Sequence, residues 1–540
     1  MGAEATGINA VRFVDHPVTT QRIPMTSPHH LTHSGTILPH DQYNQELVNN
    51  VHPPSWTNPI PSGRYNLVVI GAGTAGLVTA AIAAALGAKV ALIERHLMGG
   101  DCLNVGCVPS KGVIRAAKAW NAVREAEQFG LHVSKDVTRD FGAAMARMRK
   151  LRARISHVDS AHRFSKLGVD VFIGNGRFTS SSTIDVEGTT LQFAKAVICT
   201  GARAAAPPIP GLAQVPYLTN ETIFSLTDLP ARLGVIGAGP IGCEMAQSFA
   251  RFGSQVFLVE AMHGILTNED RDAADIVEQS ILRDGVTLLC CGKDLAIKQV
   301  DGVKHLSVDS HGQHYDIPVD EILVGVGRWP NTEGLGLEEI GVDFDHKGVA
   351  VNPRLQTTNP YIFAAGDICS PFKFTHTADA QAQIVIQNAL FPHPFGLGYA
   401  STENLIIPWA TYTQPEIAHV GMYEKDAKDK GIEVDTFTFP LNEVDRAILD
   451  GEDEGFARVH VKKGTDQIVG ATIVAAHAGD MISEYTLAMK GGLGLNTIAS
   501  TIHPYPTQAE VIKKTANAWR KTTLSEGKKQ FLSKLFSWTR

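Results

Sequence analysis

Leu67-Val68-Val69-Ile70-Gly71-Ala72-Gly73-Thr74-Ala75-Gly76 decides the fold. Four apolar residues in a row read as a buried strand, and glycines at the spacing G-x-G-x-x-G read as a tight turn opening a helix. An alanine-rich helix follows, and a second apolar strand, Lys89–Ile93, ends at Glu94. Together these make a βαβ unit shaped for a dinucleotide. Gly71, Gly73 and Gly76 let the backbone approach a pyrophosphate at a helix N-terminus, where unpaired N–H groups and the helix dipole stabilise negative charge. Glu94 is placed to accept hydrogen bonds from ribose hydroxyls. On hydropathy alone Leu67 to Ala88 is long enough to imitate a membrane span, but the glycines divide it into strand, turn and helix.

The same grammar returns further along. Leu233–Ile236 leads into Gly237-Ala238-Gly239-Pro240-Ile241-Gly242, a helix to Phe252, and the strand Gln255–Val259 closing at Glu260. Two dinucleotide sites on one chain imply a bound flavin dinucleotide, FAD, and an exchangeable nicotinamide dinucleotide, with hydride transfer between them. An acid at position 260 pairs with a free ribose 2′-hydroxyl and repels a 2′-phosphate. NAD(H) is therefore favoured over NADP(H), with His263 and Arg251 as the residues that would assist a phosphate.

A few residues after the first unit comes Gly99-Gly100-Asp101-Cys102-Leu103-Asn104-Val105-Gly106-Cys107-Val108-Pro109-Ser110-Lys111. Two thiols at this spacing, at the start of a helix, can close a disulfide, and a helix N-terminus lowers a thiolate's pKa. Half a zinc site would need third and fourth ligands at metal spacing, and none sits nearby, so no structural metal is expected. A second pair, Cys290-Cys291, is vicinal and is read as strand packing.

With this segment the chain resembles the pyridine nucleotide–disulfide oxidoreductases, the family of dihydrolipoamide dehydrogenase, glutathione reductase and mercuric reductase, over about Tyr65 to Leu524. The resemblance implies a homodimer in which electrons pass from NAD(P)H through FAD to a Cys102–Cys107 redox disulfide. Cys107 would make the charge-transfer contact with FAD and Cys102 would exchange with substrate. Lys111 would lie by the flavin, with Glu244 contacting it and the nicotinamide pocket. Gly176 resembles the adenine contact, Thr200-Gly201 and Gly366-Asp367 the remaining FAD fingerprints, with Asp367 on the ribitol. Gly327-Arg328 resembles the segment beside the nicotinamide.

The family's C-terminal domain sends a His-Glu acid–base pair into the partner's active site. Here its His-Pro-Thr-x-x-Glu reads Tyr505-Pro506-Thr507-Gln508-Ala509-Glu510, with His503 two positions earlier. A phenol with pKa near 10 is a poor base at neutral pH. Tyrosine is what mercuric reductases carry at this place, and soft thiolates suit a soft cation. Three features point the other way: no cysteine follows Cys369, no amino-terminal metal-binding cysteine motif exists, and no tyrosine occurs between 66 and 216. The leading expectation is a mercuric reductase-like enzyme using a metal ion or other small-molecule acceptor. The alternatives are a reductase of a small disulfide using His503, and a redox-sensing flavoprotein with little turnover.

The expected fold class is α/β, with two Rossmann-like domains, for FAD and NAD(P), plus an α+β C-terminal dimerisation domain. The boundaries are a flexible leader at 1–64, an FAD-binding domain at 65–208, an NAD(P)-binding domain at 209–329, a central segment completing the FAD domain at 330–400, an interface domain at 401–524, and a basic tail at 525–540. The leader has no lysine, eight prolines and six histidines. It lacks the charged and apolar regions of a secretory signal. His29, His30 and His33 read as solvated, and Met1-Gly2 with Thr6 as a chance match to a myristoylation pattern. Phe531, Leu532, Leu535 and Phe536 give the tail an apolar face at helical spacing, read as docking on the dimer in preference to an anionic membrane. Lys plus Arg at 48 against Asp plus Glu at 55 excludes a nucleic-acid partner. Seven cysteines spread over 540 residues are not a secreted disulfide framework and point to a cytoplasmic location.

Overall fold

The computed structural model describes residues 37–134 and 137–540. They form two compact units: residues up to Ala261 with Val286–Leu405, and Met262–Gly285 with Ile406–Arg540. His29, His30, His33 and the Met1-Gly2-Thr6 pattern lie outside the described residues.

The first unit is built on a seven-stranded sheet. Its strands include β1 (Arg64–Ile70), β2 (Val90–Glu94), β3 (Val169–Ile173), β4 (Gly176–Ser180), β5 (Thr183–Val186) and β6 (Thr189–Ile198), in the order β3-β2-β1-β6-β5-β4, with Ile362–Ala364 also pairing β6. β3, β2, β1, β6 and Ile362–Ala364 run parallel, so both faces must be covered. Leu67 and Val69 accordingly enter one core and Val68 and Ile70 the other. The second glycine turn leaves a four-stranded parallel sheet ordered Thr287–Leu289, Gln255–Val259, Arg232–Ile236, Glu321–Val324. Leu67 to Ala88 resolves into β1, a turn and α2 (Thr74–Ala85), and no helix of the described residues is long and apolar enough to cross a membrane.

The leader needs correction in its second half. Gln42–Val51 is a helix, α1, whose Leu47 and Val51 are fully buried in the core beneath the first glycine turn. Each such side chain contributes roughly 1.5–3 kcal/mol on burial. Asp41 caps α1 by accepting from the Tyr43 and Asn44 amides at 3.1 and 2.8 Å. Buried Arg152, on α5 (Phe141–Ser156), donates to Asn44 Oδ1 at 2.7 Å and to the Asn104 carbonyl at 2.6 Å. One guanidinium thus ties the leader helix to the cysteine segment.

The second unit carries a five-stranded antiparallel sheet in the order Pro408–Thr411, Glu416–Gly421, Ile468–Ala475, Phe456–Lys462, Val434–Pro440. The helices Ala478–Lys490 and Glu510–Thr522 bury Tyr485, Val511 and Ile512 in its core. The terminal basic stretch forms a helix, Glu526–Ser537, that leaves Phe531, Leu535 and Phe536 exposed.

Candidate active site

Both glycine turns take the same backbone course. Gly71 and Gly237 each have φ +98°, a conformation that favours glycine. A Cβ on Gly76 would lie 1.8 Å from the Gly71 carbonyl oxygen, and one on Gly242 at 1.8 Å from that of Gly237. Those four glycines are required by the protein's own packing. Gly239 is not, since a Cβ there would meet no protein atom within 4 Å, and Gly73 would meet only the Gly100 Cα at 3.8 Å. A middle glycine with space beside it suits close approach by a ligand, as a pyrophosphate at a helix N-terminus requires. The acids behave alike too: Glu94 accepts from the Ala72 amide at 2.7 Å and Glu260 from the Ala238 amide at 2.8 Å. Glu94 also accepts from the His96 amide at 2.8 Å, and burial pushes its carboxyl up.

The other segments expected to hold FAD gather at the first turn. A Cβ on Gly71 would meet the Cys199 carbonyl oxygen at 2.4 Å, one residue before Thr200-Gly201. The Thr200 hydroxyl donates to the Asn331 carbonyl at 2.8 Å, and Asn331 Nδ2 returns a bond to the Thr200 carbonyl at 2.9 Å. Gly366 stands over Ala75, its notional Cβ 3.2 Å from the alanine methyl. Gly176 opens β4 beside Ile93 and Ile70. Gly327, at φ +73°, follows Gly325 and Val326, which pack against Gly237 of the second turn. Arg328 is held between carboxylates: it pairs with Asp101 and Asp367, the latter at 3.5 Å, and donates to the Ala202 carbonyl at 2.6 Å. Burial pushes the Asp367 carboxyl up against the pull of Arg328. Asp101, which precedes Cys102 directly, was not singled out in the sequence.

The thiols stand at the start of a helix, as expected, on either side of a reversal of the chain. Cys102 lies in the short helix α3 (Gly100–Asn104) and Cys107 is the first residue of α4 (Cys107–Arg124). The chain doubles back between them at Gly106, where a Cβ would come within 2.8 Å of the Asp101 carbonyl oxygen. Both are free thiols. Their hydrogen bond divides them: it is the largest effect pushing Cys102 up, and the largest lowering Cys107, whose thiol sits at about 6. Thr375 Oγ1, 3.6 Å from Cys107 Sγ, and Lys111 lower it further, while burial and Glu244 oppose them. Thr375 starts the helix Thr375–Leu390 and carried no sequence signal. Lys111, one turn along α4, bonds both Glu244 oxygens at 3.2 and 3.0 Å. Glu244 is buried on the helix Pro240–Phe252, so this ion pair joins the cysteine helix to the helix of the second turn.

In the second unit, Tyr505 is 70% exposed and its hydroxyl donates to Asp445 at 2.9 Å. That bond pushes the phenol up, so still less of it is phenolate, the form that could take a proton, at neutral pH. His503 is 6% exposed at its side chain, and its Nε2 lies 3.0 and 3.2 Å from the two oxygens of Glu484. Glu510 begins the helix Glu510–Thr522, and its Oε2 is buried without a hydrogen-bond partner among the described residues.

Residues 65–382 match the pyridine nucleotide-disulphide oxidoreductase family and residues 407–516 its dimerisation domain. The chain belongs to this family. It is similar to mercuric reductase of Staphylococcus aureus, at 34% identity over 84% of this chain and 82% of that protein. It is similar to dihydrolipoyl dehydrogenase of Chlamydia muridarum, at 33% over 83% and 95%. Among solved structures it resembles the HOCl-induced flavoprotein disulfide reductase RclA from Escherichia coli, with TM-score 0.74 and 29% identity over 84% of this chain and 99% of that one. As a member of the family the protein is an FAD-dependent oxidoreductase that uses a pyridine nucleotide and a redox-active cysteine pair. The dimerisation domain supports a homodimer. The cradle around Gly71, Gly73 and Gly76, with Thr200, Gly201 and Asp367, fits FAD.

Proposed function

We propose that the protein uses NADH to reduce a thiolate-seeking acceptor, of which a soft metal ion is the leading class, at Cys102 and Cys107. The observation that carries the reading is the asymmetry of the two thiols, with Cys107 lowered to about 6 and Cys102 raised. Bound FAD supplies the two-electron relay between nicotinamide and sulfur. Gly71, Gly73, Gly76, Glu94, Gly176, Thr200, Gly201 and Asp367 hold it. Cys107 keeps a thiolate at neutral pH, Lys111 offsets its charge, and Glu244 fixes Lys111 in place. Cys102 holds its proton until the acceptor arrives, and then attacks or coordinates it.

Gly237, Gly239, Gly242 and Gly327 bind the nicotinamide nucleotide. Glu260 at the strand end supports NADH, because a carboxylate there repels a 2′-phosphate. Burial of Arg251 within its helix supports the same choice. A cytoplasmic location fits chemistry that depends on reduced thiols.

The acceptor class rests on the second unit. Tyr505 and Glu510 of the partner subunit would meet Cys102, and the exposed group of that pair is a phenol whose proton Asp445 holds in place. Such a group orients a metal between thiolates better than it relays a proton during disulfide exchange. His503 favours a second reading: paired with Glu484 it is an acid–base couple that would support reduction of a small disulfide. NADH oxidation by the holoenzyme against Hg(II), lipoamide, glutathione disulfide and quinones separates the readings. Hg(II) as the fastest acceptor is expected; lipoamide or glutathione disulfide as the fastest, abolished by His503→Gln, would establish the second reading instead. No acceptor above the oxygen background would make the protein a sensor.

A further inference from the structure

The second cysteine pair stands apart from the redox site. Cys290 and Cys291 follow the strand Thr287–Leu289 at the edge of the parallel sheet, past its last paired residue. Cys290 is buried, Cys291 half-buried, and their sulfurs lie within 4.8 Å of each other. Neighbouring side chains on a regular strand point to opposite faces. Here Cys291 leaves the strand with φ +54°, in a region that costs an L-residue about 1–2 kcal/mol. Facing Cys290 is His311, in the two-residue hairpin turn between Val303–Ser310 and Gln313–Val319. Its Nε2 is 3.2 Å from Cys290 Sγ.

Strained backbone at a non-glycine residue such as Cys291 persists where the surroundings fix it, and such positions cluster at binding sites. The fixing bonds are present. The buried Ser310 hydroxyl donates to the Cys290 carbonyl at 2.7 Å. On either side of the pair, the Glu260 amide donates to the Leu289 carbonyl at 3.0 Å and the Gly292 amide to the Glu260 carbonyl at 2.9 Å. Cysteines that merely packed would need neither the left-handed turn nor the imidazole.

We propose that Cys290 and Cys291, with His311 beside Cys290, bind a soft, thiophilic cation on the nicotinamide domain, at a site separate from Cys102 and Cys107. Thiolate and imidazole donors select soft and borderline cations such as Cd(II), Hg(II) or Cu(I). Two sulfurs each about 2.3 Å from one ion stand at most about 4.6 Å apart, so the pair needs little adjustment. A divalent ion displaces the two thiol protons to solvent, and no electron moves.

The test is titration of the FAD-loaded Cys102→Ser/Cys107→Ser dimer with Cd(II), read by ultraviolet thiolate-to-cadmium absorption and by native mass. One Cd(II) per chain is expected, lost when Cys290→Ser and Cys291→Ser are added, and bound about tenfold more weakly in His311→Gln. If the fourfold variant does not fold, Cys291→Ser alone, at a half-buried position, is expected to weaken uptake at least tenfold. No stoichiometric uptake by the starting variant, or uptake undiminished by Cys291→Ser, overturns the proposal.

Discussion

The two glycine turns are near copies in backbone, yet they are set in different surroundings. The first is enclosed: Gly100 approaches Gly73, Gly366 stands on Ala75, and α1 of the leader closes in, tied down by Arg152 of α5. The second leaves its middle glycine with open space. A cofactor that stays with the protein through every turnover needs enclosure, and a nucleotide that exchanges needs access. The same ten-residue device thus serves two dinucleotides, and what distinguishes them is the packing around it.

Substitution of the glycines breaks this comparison most sharply. Gly76→Val forces side-chain atoms onto the Gly71 carbonyl, 1.8 Å from the first carbon added. It is expected to give a protein without flavin absorbance, a loss above about 5 kcal/mol. The first carbon added by Gly239→Ala meets no protein atom within 4 Å, so Gly239→Val should fold and keep its FAD while KM for NADH rises about 10–100-fold, or about 1.4–2.7 kcal/mol. Flavin loss in Gly239→Val, measured by absorbance after gel filtration, would refute the assignment of the two turns.

Glu260→Ala sharpens the same comparison by a smaller amount. It removes the ribose acceptor and the bond to Ala238, and is expected to lower kcat/KM for NADH about tenfold. The preference over NADPH should narrow with it, read from steady-state rates with both nucleotides. An unchanged ratio would contradict the NADH assignment.

The smallest effect concerns Lys111 and Glu244, where the cysteine helix meets the helix of the second turn. Cys107 has its thiol lowered to about 6, so the thiolate is stable above that pH and lost as pH falls through it. Charge-transfer absorbance of the reduced enzyme should follow the same curve. Lys111 lowers the Cys107 thiol and Glu244 raises it. Lys111→Gln should therefore move the midpoint up and Glu244→Gln down, each by about half to one pH unit. Shifts of the same sign in a pH titration would show that the pair acts through structure alone.

Much of this site was legible because its signals are local. Glycine spacing, the acid at each strand end and the C-x4-C segment report conformations set within a few residues. The leader helix α1 was missed because its buried face amounts to little more than Leu47 and Val51 in a stretch dominated by proline, histidine and polar residues. Thr375, Asp101 and Glu484 were missed for another reason. Each is a single polar residue whose role comes from a partner brought to it by folding: Thr375 meets Cys107 across 268 residues of chain, and Glu484 meets His503 from a helix of the second unit. The short helix α3 that carries Cys102 had no sequence signal of its own, because Gly106 lets the chain reverse between the two thiols.

The division of labour between Cys107 and Cys102 is tested most directly by anaerobic reduction of Cys107→Ser and Cys102→Ser, followed by the long-wavelength thiolate–flavin band. Cys102→Ser is expected to keep the band and Cys107→Ser to lose it, with acceptor reduction down roughly 10³-fold or more in both. A band that survives in Cys107→Ser would contradict the account.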